Sequence, residues 1–305
     1  MIKMQSNGSE FLQKLSGAIE EVARSASPSV VSVGLDGRSG TGVVVDGEGH
    51  ILTAGHVVSR LDQTEVGTSD GTRFSARVVG RNPYADLALL KVEGAKLEPM
   101  ELGDSSGLKV GQFVMALANP FSTAVSATSG IVTGVNRPIG GWWRFSIQDA
   151  IITDARLNPG YSGGPLVDAS GRMVGMNVAY MNNRGIAVPV NTVMKSIQKM
   201  ANGENVKRAY LGVVSSTIEL PDELAARSDV NQKTALMVYS VEPESAAKKA
   251  GLRLGDVLLK LGEVQLSGVE DLTGALTDDA IGRKTKLLIL RGEELKEVGV
   301  TPAAK

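Results

Sequence analysis

The chain has 305 residues, a net charge of −1, 36 glycines, 4% aromatic residues and no cysteine. Without cysteine it has no disulfide staples, zinc–thiolate sites or cysteine nucleophiles, and near-neutrality gives no electrostatic pull toward nucleic acid or an acidic membrane surface. Hydrophobic residues at 42% and charged residues at 21% suit a folded chain long enough for two or three domains.

No apolar run reaches the ~18 residues of a membrane-spanning helix. The start, MIKMQSNGSEFLQ, has no apolar stretch of the signal-peptide kind. A soluble protein is expected, in a compartment that the lack of cysteine leaves open.

In chain order, Phe11, Leu15, Ile19 and Val22 form one apolar stripe, which predicts a helix over 9–24. It belongs to an N-terminal helical segment, 1–27, that packs on its own domain or serves a subunit contact. Pro28 ends it. Short β-branched and apolar runs divided by glycine then predict strands at 29–35, 42–46, 51–53, 74–80, 87–92, 113–118, 130–135, 147–153, 165–168, 173–179 and 186–188. Turn residues every 8–12 positions read as an all-β barrel or sandwich pair. Residues 190–201 predict a closing helix with Val190, Val193, Met194 and Ile197 on one face. The polar loop 202–205 then bounds a domain over 28–202. The remainder, 206–305, has strands at 210–214, 236–241, 286–291 and 297–301 and helices near 245–250 and 268–277, enough for a second small domain.

The strongest chemical signal is Asn158-Pro159-Gly160-Tyr161-Ser162-Gly163-Gly164-Pro165-Leu166. A serine between glycines sits on a sharp turn that bares its hydroxyl, and the Gly160 and Ser162 amides can converge on one oxyanion. The run also satisfies the G-x-S-x-G pattern of α/β-hydrolases, which need a histidine after the serine. Only His50 and His56 exist, both before it, so that fold is excluded. The order His, Asp, Ser of chymotrypsin-type enzymes survives. His56 follows the apolar strand Ile51-Leu52-Thr53-Ala54 among small residues and is the candidate base; His50 reads as an exposed turn residue. Asp86 opens the apolar run Leu87–Val92, where a carboxylate is costly without a partner, so it is the candidate third member. Asp104 reads as a turn residue, and Asp154 as bonding loop backbone.

With these blocks in order, the chain resembles the HtrA (Deg) family of serine proteases. The resemblance rests on Thr53–Val58, Asp86–Val92 and Asn158–Val167, and extends to Ser27–Val33, Ala118-Asn119-Pro120-Phe121 and Ser129–Val132. It implies a mostly β chain with a chymotrypsin-like double β-barrel. It also implies ATP-independent endoproteolysis of unfolded or damaged proteins, in which Ser162 attacks, His56 carries the proton, Asp86 orients it and the Gly160 and Ser162 amides hold the oxyanion. No metal or cofactor is implied, and homotrimers or multiples of three are. By the same likeness Leu157 and Tyr180 line an uncharged primary pocket suited to small or medium aliphatic side chains. Arg156 nearby reads as solvent-facing. Tyr161 departs from the family, which commonly has Asn there, and its bulk bears on how readily the hole forms. Ile186-Ala187-Val188 is the expected strand for pairing with substrate backbone.

Residues 206–305 resemble a PDZ domain, a small α/β fold. Tyr210-Leu211-Gly212-Val213 is the expected peptide-binding loop. Its turn brings N–H groups onto a terminal carboxylate beside an apolar pocket of Tyr210, Leu211 and Val213. Pro243–Val257 reads as a capped helix, a glycine stop and a buried strand. A different class of function on this fold is a chaperone or peptide-binding scaffold with little hydrolysis; an esterase or acyl-transferase has no small-molecule pocket in its favour.

Overall fold

The computed structural model describes residues 3–34, 40–120, 124–139, 147–202, 206–226 and 231–304. Leu35, Phe121 and the boundary residues 203–205 lie outside them. The chain forms two compact units: residues 1–137 with 149–206, and residues 138–148 with 207–305.

The first unit opens with helix α1 (Lys3–Ala26), longer than the apolar stripe alone predicts. Of the stripe, only Val22 is buried; Phe11 and Leu15 are 65% and 45% exposed, as is Leu12 at 63%. Packing of the whole stripe on its own domain is therefore corrected: only the C-terminal end of α1, with Val22 and Ala26, docks on the barrel.

Strands β1 (Val30–Val33), β2 (Gly40–Val44), β3 (His50–Ala54), β4 (Gln63–Gly67), β5 (Arg73–Asn82) and β6 (Leu87–Val92) close a barrel in the order β1-β2-β3-β6-β5-β4. Strand β6 pairs with β3 and β5. Its apolar run Leu87-Ala88-Leu89-Leu90 is buried throughout, the pattern of a strand covered on both faces. A second barrel holds β7 (Phe113–Ala118), β8 (Ser126–Ile139), β9 (Ile147–Thr153), β10 (Pro165–Asp168), β11 (Met173–Met181) and β12 (Arg184–Pro189), in the order β10-β11-β12-β9-β8-β7. Val114, Ala116, Val132, Ile151, Leu166 and Ala187 fill it. Helix α2 (Val190–Ala201) follows Pro189 and buries Val190, Val193, Ile197 and Met200. It crosses β5 at Gly80, where a β-carbon would come within 2.5 Å of Met200.

The second unit contains β13 (Ala209–Tyr210), β14 (Val213–Glu219), α3 (Asp222–Ala225), β15 (Thr234–Val241), α4 (Ala246–Lys249), β16 (Val257–Leu261), β17 (Val264–Gln265), α5 (Val269–Ala275), β18 (Thr285–Arg291), β19 (Glu294–Val300) and β20 (Ala303–Ala304). Its main sheet runs β14-β15-β16-β18-β19, with β14 at one edge. Leu236, Val238, Leu258, Leu272, Leu287 and Ile289 form the core. Asp256 is 1% exposed and is clamped by Arg291, whose Nε and Nη2 donate at 2.7 and 2.8 Å. The arrangement is a small β-rich domain with short helices.

Candidate active site

Strands β3 and β6 are neighbours, with Ala54 opposite Leu87. The residues just beyond β3 and just before β6 therefore fall side by side, which sets His56 against Asp86. Asp86 is buried at φ 55°, a left-handed conformation held by its surroundings. Its Oδ1 accepts the His56 N–H at 2.9 Å, its Oδ2 pairs with His56 Nδ1 at 2.5 Å, and its carbonyl accepts the Gly55 N–H at 2.8 Å. These bonds offset the desolvation of the carboxylate. They also assign the proton to Nδ1, which leaves Nε2 free to accept. The hydrogen bond to Asp86 holds the His56 pKa above its ordinary 6.5.

Ser162 reaches the same seam from the second barrel. The Thr41 N–H donates to the Ser162 carbonyl at 2.9 Å. A β-carbon at Gly40 would lie 2.6 Å from Val57 and 3.3 Å from that carbonyl, so the neighbour of His56 and the backbone of Ser162 border one point. The Ser162 hydroxyl donates to the Val178 carbonyl at 3.4 Å and makes no hydrogen bond to His56. The His56–Asp86 link is made and the Ser162–His56 link is not.

The turn around Ser162 has a simple hydrogen-bond account. Tyr161 N–H donates to Asn158 O at 3.1 Å, Gly163 N–H to Asn177 O at 2.8 Å and Gly164 N–H to Tyr161 O at 3.0 Å. From Gly160 to Gly164, Gly160 and Ser162 are the two residues whose N–H groups have no partner among the described residues. Gly160 has φ 91° and Gly163 has φ 87°. A β-carbon at Gly163 would fall 2.1 Å from Thr41 O, and one at Gly160 would fall 2.4 Å from Pro120, so only glycine fits either site.

Leu157 is buried and Tyr180 is 38% exposed. Gly185 lies between them: it pairs with Tyr180, and a β-carbon there would be 3.2 Å from Leu157. The expected role of Ile186, Ala187 and Val188 is corrected. All three are buried in β12, which pairs with β11 on one side and β9 on the other, so no backbone edge is open. The open main chain is in β11. Pairing with β10 ends at Met176, and residues 178–181 have no strand on that side among the described residues.

His50 is also corrected. It opens β3 half-buried, with Nδ1 2.6 Å from Asp46 Oδ2, and is no free turn residue. Asp46, Glu48 and His50 bring ligand atoms within 4.8 Å of one another. Their charges are already met by the Asp46–His50 pair and by Lys91, 3.9 Å from Glu48. Asp104 accepts the Ser106 N–H in a turn, Asp154 accepts the backbone N–H of Ile131, and Arg156 is exposed.

In the second unit, the Leu211 and Gly212 N–H groups have no partner among the described residues. Their carbonyls accept from Ala247 and Glu242, each at 2.8 Å. Gly212 has φ 83° and lies against Ser245. Leu211 is 1% exposed and turns into the domain core, so it adds no surface to the expected apolar pocket. Val213 is half-buried at the start of the edge strand β14, and the Tyr210 hydroxyl bonds the Glu242 carboxylate.

A trypsin-like peptidase domain matches residues 40–176, and a PDZ domain matches residues 210–301. The HtrA-type protease AlgW, in its structure with a tripeptide, is 30% identical with a TM-score of 0.78, over 93% of this chain and 96% of that one. This chain belongs to the HtrA-type proteases. The periplasmic serine endoproteases DegP of Salmonella typhimurium LT2 and Escherichia coli K12 are 36% and 35% identical over 260 residues, 83% of this chain and 54% of each relative. The HtrA-type chain thus spans about half the length of the curated relatives it matches. No helix among its described residues is long and apolar enough to cross a membrane.

Against the family pattern, Tyr161 sends its ring into the core of the second barrel, 4% exposed. Its hydroxyl lies beside Thr128, and burial pushes the phenol pKa up. The bulk at this position is taken up by the barrel core. Two residues of the HtrA-type site escaped the sequence reading, Thr41 and Val178. Neither has a chemical signature in its own segment.

Proposed function

We propose that the chain is an ATP-independent serine endopeptidase that cuts unfolded or damaged proteins through an acyl-enzyme. The observation that carries this reading is the pair of unpartnered amides, Gly160 and Ser162, beside the Asp86–His56 couple. An extended substrate pairs along residues 178–181. A substrate N–H donating to the Val178 carbonyl displaces the Ser162 hydroxyl, which turns to His56 Nε2. His56 takes the proton as Ser162 attacks the carbonyl carbon, Asp86 stabilises the resulting imidazolium, and the two amides receive the oxyanion. His56 then gives the proton to the leaving amine, and water repeats the sequence to release the acyl group.

Casein digestion with fluorophosphonate labelling of Ser162, against Ser162→Ala, tests this. The unmade Ser162–His56 bond favours one alternative, a chaperone or peptide-binding scaffold on the protease fold. If wild type and Ser162→Ala shielded an unfolded client equally and neither cut it, the scaffold reading would stand.

Leu157 and Tyr180 flank an uncharged pocket at Gly185. Cleavage of a peptide library is expected to favour Val, Ala and similar side chains before the cut; dominance by Lys or Arg would refute the assignment. In the second domain, the Leu211 and Gly212 amides receive a terminal carboxylate, and the β14 edge receives the peptide strand. The AlgW structures with a decapeptide and with a tripeptide support peptide binding by a chain of this kind. Homotrimers, or multiples of three, follow from the family resemblance, and the exposed Phe11, Leu12 and Leu15 of α1 supply apolar surface for subunit contact. Light scattering is expected to give about three times the 31.9 kDa chain mass, or a multiple; a monomer would refute it.

A further inference from the structure

We infer that Thr41, on β2 of the first barrel, is the positioning residue that sets the oxyanion-binding amides on the second. The inference rests on the serine-protease reading above. Thr41 is fully buried and is bonded through every polar atom it has. Its N–H donates to Ser162 O at 2.9 Å, its carbonyl accepts from the Thr53 hydroxyl at 2.7 Å, and its hydroxyl lies 2.7 Å from Gly160 O and 3.0 Å from Asn119 N. The Asn119 N–H only donates, so the Thr41 hydroxyl accepts there and its one proton goes to the Gly160 carbonyl.

The effect on the hole follows from peptide planarity. The Gly160–Tyr161 peptide is held at its carbonyl by the Thr41 hydroxyl and at its N–H by Asn158. The Ser162–Gly163 peptide is held at its carbonyl by the Thr41 N–H and at its N–H by Asn177. Between them, the Tyr161 carbonyl is held by Gly164, so the Ser162 N–H has one direction left to point. Thr41 therefore fixes the peptide plane that follows each donor residue, Gly160 and Ser162, from a different barrel. It also sets the spacing between the barrel that carries His56 and the turn that carries Ser162.

Thr41→Val removes the hydroxyl at nearly constant shape, and Thr41→Ser keeps it. On a peptide substrate, Thr41→Val is expected to lower kcat about 10–100-fold with KM within about twofold, since loss of a whole oxyanion donor costs about 10²–10³. Affinity for a peptide aldehyde, whose adduct places an oxyanion at the amides, should fall by the same factor. Thr41→Ser should restore both. If Thr41→Val does not fold, Thr41→Ser and Thr41→Ala are compared instead. A fast serine and a slow alanine variant support the role, and equal rates overturn it. A wild type that cleaves and labels, with a Thr41→Val that matches it or loses only KM, overturns the positioning role alone. A wild type that does neither overturns the protease reading and this role with it.

Discussion

Ser162→Ala is expected to lower turnover by about 10⁶-fold, the scale of nucleophile loss in another serine protease. A serine hydroxyl is a poor nucleophile at neutral pH, and its reactivity here depends on one imidazole within reach. No second histidine can take over, because His50 is committed to Asp46 on the far end of β3. The substitution deletes a single half-buried oxygen whose one bond is the 3.4 Å contact with Val178, so folding should be undisturbed. Turnover of a peptide substrate and fluorophosphonate labelling should vanish together while the thermal midpoint stays within a few degrees of wild type. Retained cleavage by Ser162→Ala would remove Ser162 from the mechanism.

Asp86→Asn is expected to cost about 10⁴-fold. The carboxylate accepts from both the backbone and the ring of His56. An amide presents an NH₂ to the ring nitrogen, which reverses the tautomer, puts the proton on Nε2 and leaves nothing to accept from Ser162. The same bond predicts a change in the pH profile. His56 works as a base only when neutral, and Asp86 raises its pKa above 6.5, so wild-type kcat/KM should fall as pH drops through that raised value. In Asp86→Asn the residual acid limb should move to lower pH. A smaller loss at Asp86 than at Asp104 or Asp154 would overturn the assignment.

The parts legible in the sequence were those whose signal is local. The run Leu87–Val92 is apolar because β6 is buried on both faces, and that burial makes the neighbouring carboxylate conspicuous. Glycines at 160 and 163 report backbone at positive φ. Strand β4, Gln63-Thr64-Glu65-Val66-Gly67, was hidden because one of its buried positions is a threonine. The segment 186–188 is not separable from the open stretch by composition: Val178-Ala179-Tyr180-Met181 is as apolar as Ile186-Ala187-Val188, because an apolar run reports burial of a strand's faces and says nothing of which edge is paired. Thr41 was invisible because its partners Asn119 and Gly160 are 78 and 119 residues away.

Residues 178–181, which have β12 on one side and no strand on the other among the described residues, have a consequence for the choice of client under the proposed function. They accommodate roughly 13 Å of fully extended polypeptide at about 3.3 Å per residue. A helix or a paired strand already spends its amides and carbonyls on its own neighbours, so a native protein must first unzip locally to lie down beside Ser162. The rate at which any given client is destroyed then reports how often that client opens, as in native-state proteolysis. If the chain cuts unfolded or damaged proteins as proposed, discrimination between sound and damaged clients comes from the client's own stability, with no damage mark to be read.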